Sequence, residues 1–234
     1  MTGPEQQTHT VSAGFPADKS DNQCRKCGEC CKSGGPALHL EDLALITTGK
    51  LTVRDLITIR KGELAHNPLT GKIQPASAEL VKIAGAGSQW QCCYYDTNQG
   101  CTIYHCRPVG CRLLKCWDTS DILNLVEKDT LCRLDIIAGS NPLVAFIREH
   151  EELCPCDGLQ SIMAQKGSLT EQQKKELEAR VGSDLQFRER VIEAFNLSLD
   201  EEMFYFGRPF FQLLKPLGVR VVQSKTGVRL IWNV

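Results

Sequence analysis

The sequence predicts an α+β chain in two parts, a small cysteine-rich, metal-centred domain of short helices and a β-ribbon followed by a mostly helical extension that ends in a β-hairpin. Three observations predict it. Four cysteines fall within eight residues, Cys24-Arg-Lys-Cys27-Gly-Glu-Cys30-Cys31; all thirteen cysteines of the 234 residues lie at or before Cys156; and helical periodicity dominates after Asn141. The expected boundaries are a disordered polar tail over 1–20, the cysteine domain over 21–158 and the extension over 159–234.

Packing alone does not crowd thiols together, because each is a nucleophile and an oxidation hazard. A metal occupies them most simply: C-x2-C-x2-C lets successive sulfurs converge on one point, as in iron–sulfur proteins, and each C-x2-C is also half of a tetrahedral zinc site. Gly28 permits the tight reversal that such wrapping needs. A secreted disulfide scaffold is disfavoured by the odd count and by adjacent cysteines that cannot pair with each other. Met1–Thr10 is polar with no apolar signal core, so the expected compartment is the reducing cytoplasm.

Along the chain, Leu43 and Ile46 predict a short helix closed by Gly49, and Thr52-Val-Arg-Asp55 reads as the cap of a second helix burying Val53, Leu56, Ile57 and Leu64. Together these form an expected helical hairpin. Asn67–Gly71 is a turn, Glu79–Ala84 and Trp90–Tyr95 read as short strands, and Asp96–Gly100 is a tight connection, so a small ribbon carries Cys92, Cys93 and Cys101. Pro108 opens a helix carrying Cys111. Cys116 lies about 140° further round an ideal helix, so its sulfur meets that of Cys111 only where the helix ends between them.

In the extension, Asn141-Pro142 starts a helix with Leu143, Phe146, Ile147 and His150 on one face, ending before Cys154-Pro-Cys156. Ser168-Leu-Thr-Glu171 starts another, Phe187, Val191 and Phe195 mark one more, and Ser198-Leu-Asp-Glu201 caps the next. Val219–Val222 and the alternating Val228, Leu230, Trp232 and Val234 flank a hairpin turn at Ser224–Gly227.

A net charge of −1 with 24% charged residues carries no electrostatic footprint for nucleic acid or an anionic membrane, and no apolar run is long enough to span a bilayer. No phosphate loop, dinucleotide fingerprint or serine nucleophile elbow occurs. The functional residues are therefore sought among the cysteines.

The ordered motifs Cys24-x2-Cys27-Gly-x-Cys30-Cys31, Cys92-x-Tyr-Tyr and Gly100-Cys101-Thr-Ile-Tyr104-x-x-Arg107-Pro108-x-x-Cys111-Arg112, with Cys116 beyond, resemble the YkgJ-like CxxCxxCC family over about residues 24–117. The resemblance implies chelation of zinc or iron by cysteine, with an iron–sulfur cluster or zinc as cofactor. The sequence departs from the family pattern at His105, where an acidic residue is usual, and in the extra Cys93, Cys106, Cys132, Cys154 and Cys156.

The expected ligands are Cys24, Cys27, Cys30, Cys31, Cys92, Cys101, Cys111 and Cys116, enough sulfur for two four-ligand centres. In an extended chain adjacent side chains diverge, which lets Cys30 and Cys31 serve different centres. Arg107 and Arg112 are either cofactor-binding donors to the thiolates or surface ion pairs. His105 and His150 are ligands or structural histidines, and Cys154-Pro-Cys156 is a further ligand pair or a redox pair. Three functional classes follow: an iron–sulfur protein with a redox or accessory role and a redox or protein partner, a zinc-stabilised binding module, or a metal-handling protein.

Overall fold

The apolar run Leu56-Ile-Thr-Ile59 decides the architecture of the cysteine region. Three of its four residues are apolar and two are isoleucine, a composition that favours the pleated backbone, and all four are buried. In the computed structural model, which describes residues 24–87, 90–165, 167–224 and 227–232, this run is a strand and not the expected helix. The Thr52–Asp55 cap is formed, with Asp55 Oδ2 accepting from Thr52 N at 2.7 Å, but it closes only a single 3-10 turn, Val53–Asp55. The helical hairpin is thus corrected to one short helix followed by a β-ribbon. The expected tail over 1–20 and the terminal Val234 lie outside the described residues.

The cysteine region begins with α1 (Glu29–Lys32) and α2 (Leu43–Thr47), then β1 (Leu56–Ile59), β2 (Leu64–Asn67), β3 (Lys72–Pro75) and β4 (Leu80–Ile83). Strands β1 and β4 pair antiparallel with Leu56 opposite Ile83 and Ile57 opposite Lys82; β2 and β3 form a hairpin across the expected turn. Period-two alternation divides the β1–β4 ribbon into two faces. Leu56, Thr58, Val81 and Ile83 enter the core, whereas Ile57, Ile59, Leu80 and Lys82 wall a cavity. Next come the two-residue strands β5 (Gly85–Ala86), β6 (Gln91–Cys92), β7 (Tyr95–Asp96) and β8 (Gly100–Cys101), paired β5 with β6 and β7 with β8.

Helices α3 (Val109–Leu113), α4 (Ser120–Leu125), α5 (Arg133–Ile136), α6 (Leu143–Leu153) and α7 (Leu159–Ala164) follow. Asn141 caps α6, its Oδ1 accepting from Leu143 N at 2.9 Å. The two helices expected after Ser168 are one, α8 (Glu171–Phe195), capped by Thr170. The chain then forms α9 (Leu199–Phe206), capped by Ser198, α10 (Phe210–Leu213), and the hairpin of β9 (Val219–Ser224) and β10 (Gly227–Trp232). Among the described residues no helix is long and apolar enough to cross a membrane.

One apolar core joins Leu38, Leu56, Val81 and Ile83 of the cysteine region to Ile147, Phe187, Phe204 and Phe206; a second, around Leu177, Val181, Phe210 and Leu230, holds the hairpin to α8. Polar side chains fasten the joint. A helix leaves its last carbonyls without partners, and at the end of α9 buried donors meet them: Thr58 Oγ1 donates to Phe204 O at 2.5 Å, Arg133 to Tyr205 O at 2.5 Å and Arg188 to Phe206 O at 2.9 Å. Arg133 also binds Glu79 and Glu151, and Arg60, fully buried, binds both oxygens of Glu151 at 3.0 and 3.1 Å.

His150, fully buried on α6, donates from Nε2 to Asp184 Oδ1 at 2.6 Å and packs on Phe187 and Phe206. Its Nδ1 has no partner among the described residues, which the neutral ring tolerates and the protonated ring does not. Burial, reinforced by Arg60 and Arg188, accordingly holds its pKa below 6.5 against the pull of Asp184. Burial raises the Asp184 carboxyl, but His150, Arg188 and the Phe210 N–H outweigh it and bring it down to about 2. The unfolded chain takes up a proton at His150 before the folded chain does, so stability falls as pH drops below about 6.5. It falls again from about pH 4 towards 2 as Asp184 protonates. Denaturant unfolding at pH 7.5 and 5.5 is expected to show wild-type protein losing stability at the lower pH and His150→Gln losing less; equal losses refute a neutral buried His150.

Candidate metal centre

The first cysteine segment is shaped by its glycine. Gly28 has φ +81° and precedes α1, and a Cβ there would fall inside the Tyr95 ring, so only glycine fits both the backbone and the space. Lys26 Nζ lies 4.4 Å from the centroid of the Tyr104 ring and Arg107 Cζ lies 4.0 Å from it. The Lys26 contact ties segment 24–31 to segment 100–107, and the Arg107 contact holds the Tyr104 ring within the latter.

The remaining cysteines are set by β6, β8 and α3. Asp96 Oδ1 accepts from Asn98 N and Gln99 N, both at 2.8 Å, and this turn joins β7 to β8 and places Cys101. Buried Asp42 accepts from Val109 N at 2.8 Å and from His39 N at 3.0 Å, fixing the first turn of α3 and hence Cys111. Helix α3 ends at Leu113, before Cys116, as the angular argument requires.

The motif cysteines of the two segments lie near enough to act on one another electrostatically, but among the described residues no three of their sulfurs lie within 4.8 Å of one another. Cys30 Sγ lies 3.9 Å from Cys31 Sγ. Burial first, and then neighbouring Cys30, Cys27 and Cys24, raises the Cys116 thiol. Burial, then Cys30, with Cys92 and Cys101 further out, raises Cys31. Cys111 is pushed up to about 12 by burial and then by Cys92, Cys30 and Cys101. Cys92 runs the other way: a hydrogen bond from Cys93, helped by Lys82, brings it down to about 7. Thiols raised by burial and by one another do not ionise together unaided, so this all-sulfur donor set fits a soft or borderline cation such as zinc or iron.

The other candidates take distinct places. Arg107, besides stacking on Tyr104, lowers the thiols of Cys101 and Cys111, whereas Arg112 pairs at the surface with Glu41. His105 is exposed and sets its ring edge against Tyr104, and Cys106 lies in the neighbourhood of Cys101. Cys93 Sγ points to the Asp55 carbonyl at 4.0 Å, and Cys132 precedes α5. Buried Cys154 and Cys156 lie apart, Cys154 beside His150 and Asp184 with their ligand atoms all within 4.8 Å of one another. There Asp184 already accepts from His150, Arg188 and Phe210 N, so the trio is a hydrogen-bonded knot. Its i, i+4 pair, His150 and Cys154, is visible in sequence; Asp184 comes from the polar α8 and carries no local signal.

Residues 23–133 match the model of the CxxCxxCC family, whose description is "Putative zinc- or iron-chelating domain". No curated protein and no solved structure matches the chain. Over residues 23–133 the chain is therefore similar to the CxxCxxCC domains, whose description is one of zinc or iron chelation.

Proposed function

We propose that this chain is an iron–sulfur protein with two neighbouring centres, acting in electron transfer or as the cluster-bearing component of a modification enzyme. One observation carries the reading: Cys24 and Cys27 act on Cys30 and Cys116, Cys92 and Cys101 act on Cys31 and Cys111, and Cys30 acts on members of both groups, which suggests one set of Cys24, Cys27, Cys30 and Cys116 beside another of Cys31, Cys92, Cys101 and Cys111. Each set has the four sulfurs that iron–sulfur clusters use, and adjacent Cys30 and Cys31 divide between them. In two-cluster ferredoxins the last cysteine of the run likewise serves the other cluster. Arg107 supplies positive charge beside the second set. Such a centre works with a redox partner protein.

Zinc is the second reading, favoured by the 3.9 Å between Cys30 Sγ and Cys31 Sγ. Ligands of a tetrahedral ion with bonds of about 2.3 Å lie about 3.8 Å apart, so these two sulfurs suit a single zinc. Protein purified without oxygen separates the readings. The iron–sulfur reading predicts stoichiometric iron and acid-labile sulfide, with a brown absorbance that bleaches on reduction. Stoichiometric zinc in a colourless protein overturns it in favour of the second reading, and absence of both metals overturns both.

The ligand sets make a sharper prediction. Cys27→Ala and Cys111→Ala are expected to lower metal content and stability together, because a lost ligand forfeits binding energy that is also folding energy. Cys93→Ala and Cys132→Ala are expected to keep the metal and cost about 1 kcal/mol. Elemental analysis of anaerobically prepared variants checks this; an empty Cys93→Ala protein beside a full Cys111→Ala protein reverses the assignment.

A further inference from the structure

Lys82 occupies the middle of β4, between β1 on one side and a bridge to Ala37 on the other. Alternation puts its side chain on the same face as Ile57, Ile59 and Leu80, and that face walls a cavity of about 650 Å³. Leu114, Ile122 and Val126 also line the cavity, and Cys30, Cys31, Cys92 and Cys111 of the metal region reach it. Among the described residues Lys82 Nζ has no hydrogen-bond or ion-pair partner.

An ammonium among apolar side chains without a carboxylate is costly. The nearby carboxylate is already used: Glu63 accepts from Arg60 N at 3.2 Å and from Arg208 Nε at 2.7 Å. Arg208, itself on the lining, adds positive charge beside Lys82. Glu127 on the lining is held by Asn67 Nδ2 at 2.8 Å, and His39 Nδ1 by Lys128 O at 2.8 Å; His66 is not an acid, and of the four cysteines on the wall Cys92 acts electrostatically on Lys82 but makes no hydrogen bond to it. The volume falls in the range of small-molecule sites, which join a largely apolar wall to a few placed polar groups.

We propose that this cavity binds a small amphipathic carboxylate, its apolar body along Ile57, Ile59 and Leu80 and its head on Lys82 Nζ, beside the sulfurs of the metal region. The proposal goes beyond the metal reading, since the cavity and its lysine are the same whichever metal the cysteines hold. A carboxylate there supplies the hydrogen-bonding counter-ion that Lys82 Nζ lacks and makes a charge-assisted hydrogen bond.

The test titrates decanoate, and decanol as its uncharged counterpart, into anaerobically purified wild-type, Lys82→Met and Lys82→Arg proteins by calorimetry, with metal content assayed on the same samples. Decanoate is expected to bind the wild-type protein saturably and more tightly than decanol. Lys82→Met weakens decanoate about tenfold or more while leaving decanol affinity and metal content unchanged, and Lys82→Arg restores most of the decanoate affinity. Failure of decanoate to saturate, equal wild-type affinity for decanoate and decanol, or equal decanoate affinity in wild type and Lys82→Met overturns the proposal. Because the first two comparisons use wild-type protein, poor folding of a variant does not rescue it, and the metal assay reports separately on the cysteines.

Discussion

Neighbouring thiols that raise one another cannot all become thiolates unless a cation neutralises them, and the motif cysteines are subject to that constraint. Burial and mutual repulsion raise Cys30, Cys31, Cys101, Cys111 and Cys116. Metal binding reverses the balance by replacing the protons. Closing the 60-residue loop from Cys31 to Cys92 costs about 3–4 kcal/mol in chain entropy, and a structural thiolate site supplies about 10–16 kcal/mol. Metal energy exceeds closure severalfold. Gly28 against Tyr95, Tyr104 between Lys26 and Arg107, and Asp42 at the head of α3 position the segments that carry the motif cysteines.

The scaffold beneath the sulfurs depends on the C-terminal half. The core face of the β1–β4 ribbon packs with Phe204 and Phe206, and the carbonyls ending α9 are held by Thr58 from β1, Arg133 from the start of α5 and Arg188 from α8. Removing one member of such a buried network leaves charges unpaired, which costs several times more than an exposed ion pair contributes. The opposite face of the same ribbon is free to wall the cavity. One short sheet thus has two tasks, and its alternation keeps them apart.

Sequence patterns with local causes are legible: the cysteine runs, Pro108 at the head of α3, the cap at Ser198 and the terminal hairpin, whereas the cap of α8 is Thr170 with Gln173 and not the expected Ser168 with Glu171. The Thr52–Asp55 cap misled because a cap specifies how a turn begins and not how far it propagates. Leu56-Ile-Thr-Ile59 then pairs with Leu80–Ile83 more than twenty residues away, and that long-range pairing decides strand over helix. Phe187 and Val191 lie on the buried face of α8 as their spacing predicts, but the polar stretch before them conceals that α8 is continuous from Glu171. Arg133, Glu79, Glu151 and Tyr205 meet across 18 to 72 residues, and Lys82 is conspicuous only as a charge inside an apolar strand. Neither has a period or spacing that a sequence displays.

The central claim is that sulfur from both cysteine segments holds the metal. X-ray absorption at the iron and zinc edges of the anaerobically purified protein tests it most directly. A first shell of sulfur alone at about 2.3 Å is expected, reduced in occupancy when either Cys27 or Cys111 is replaced. A first shell dominated by nitrogen or oxygen, or one that is indifferent to one of these two replacements, contradicts it.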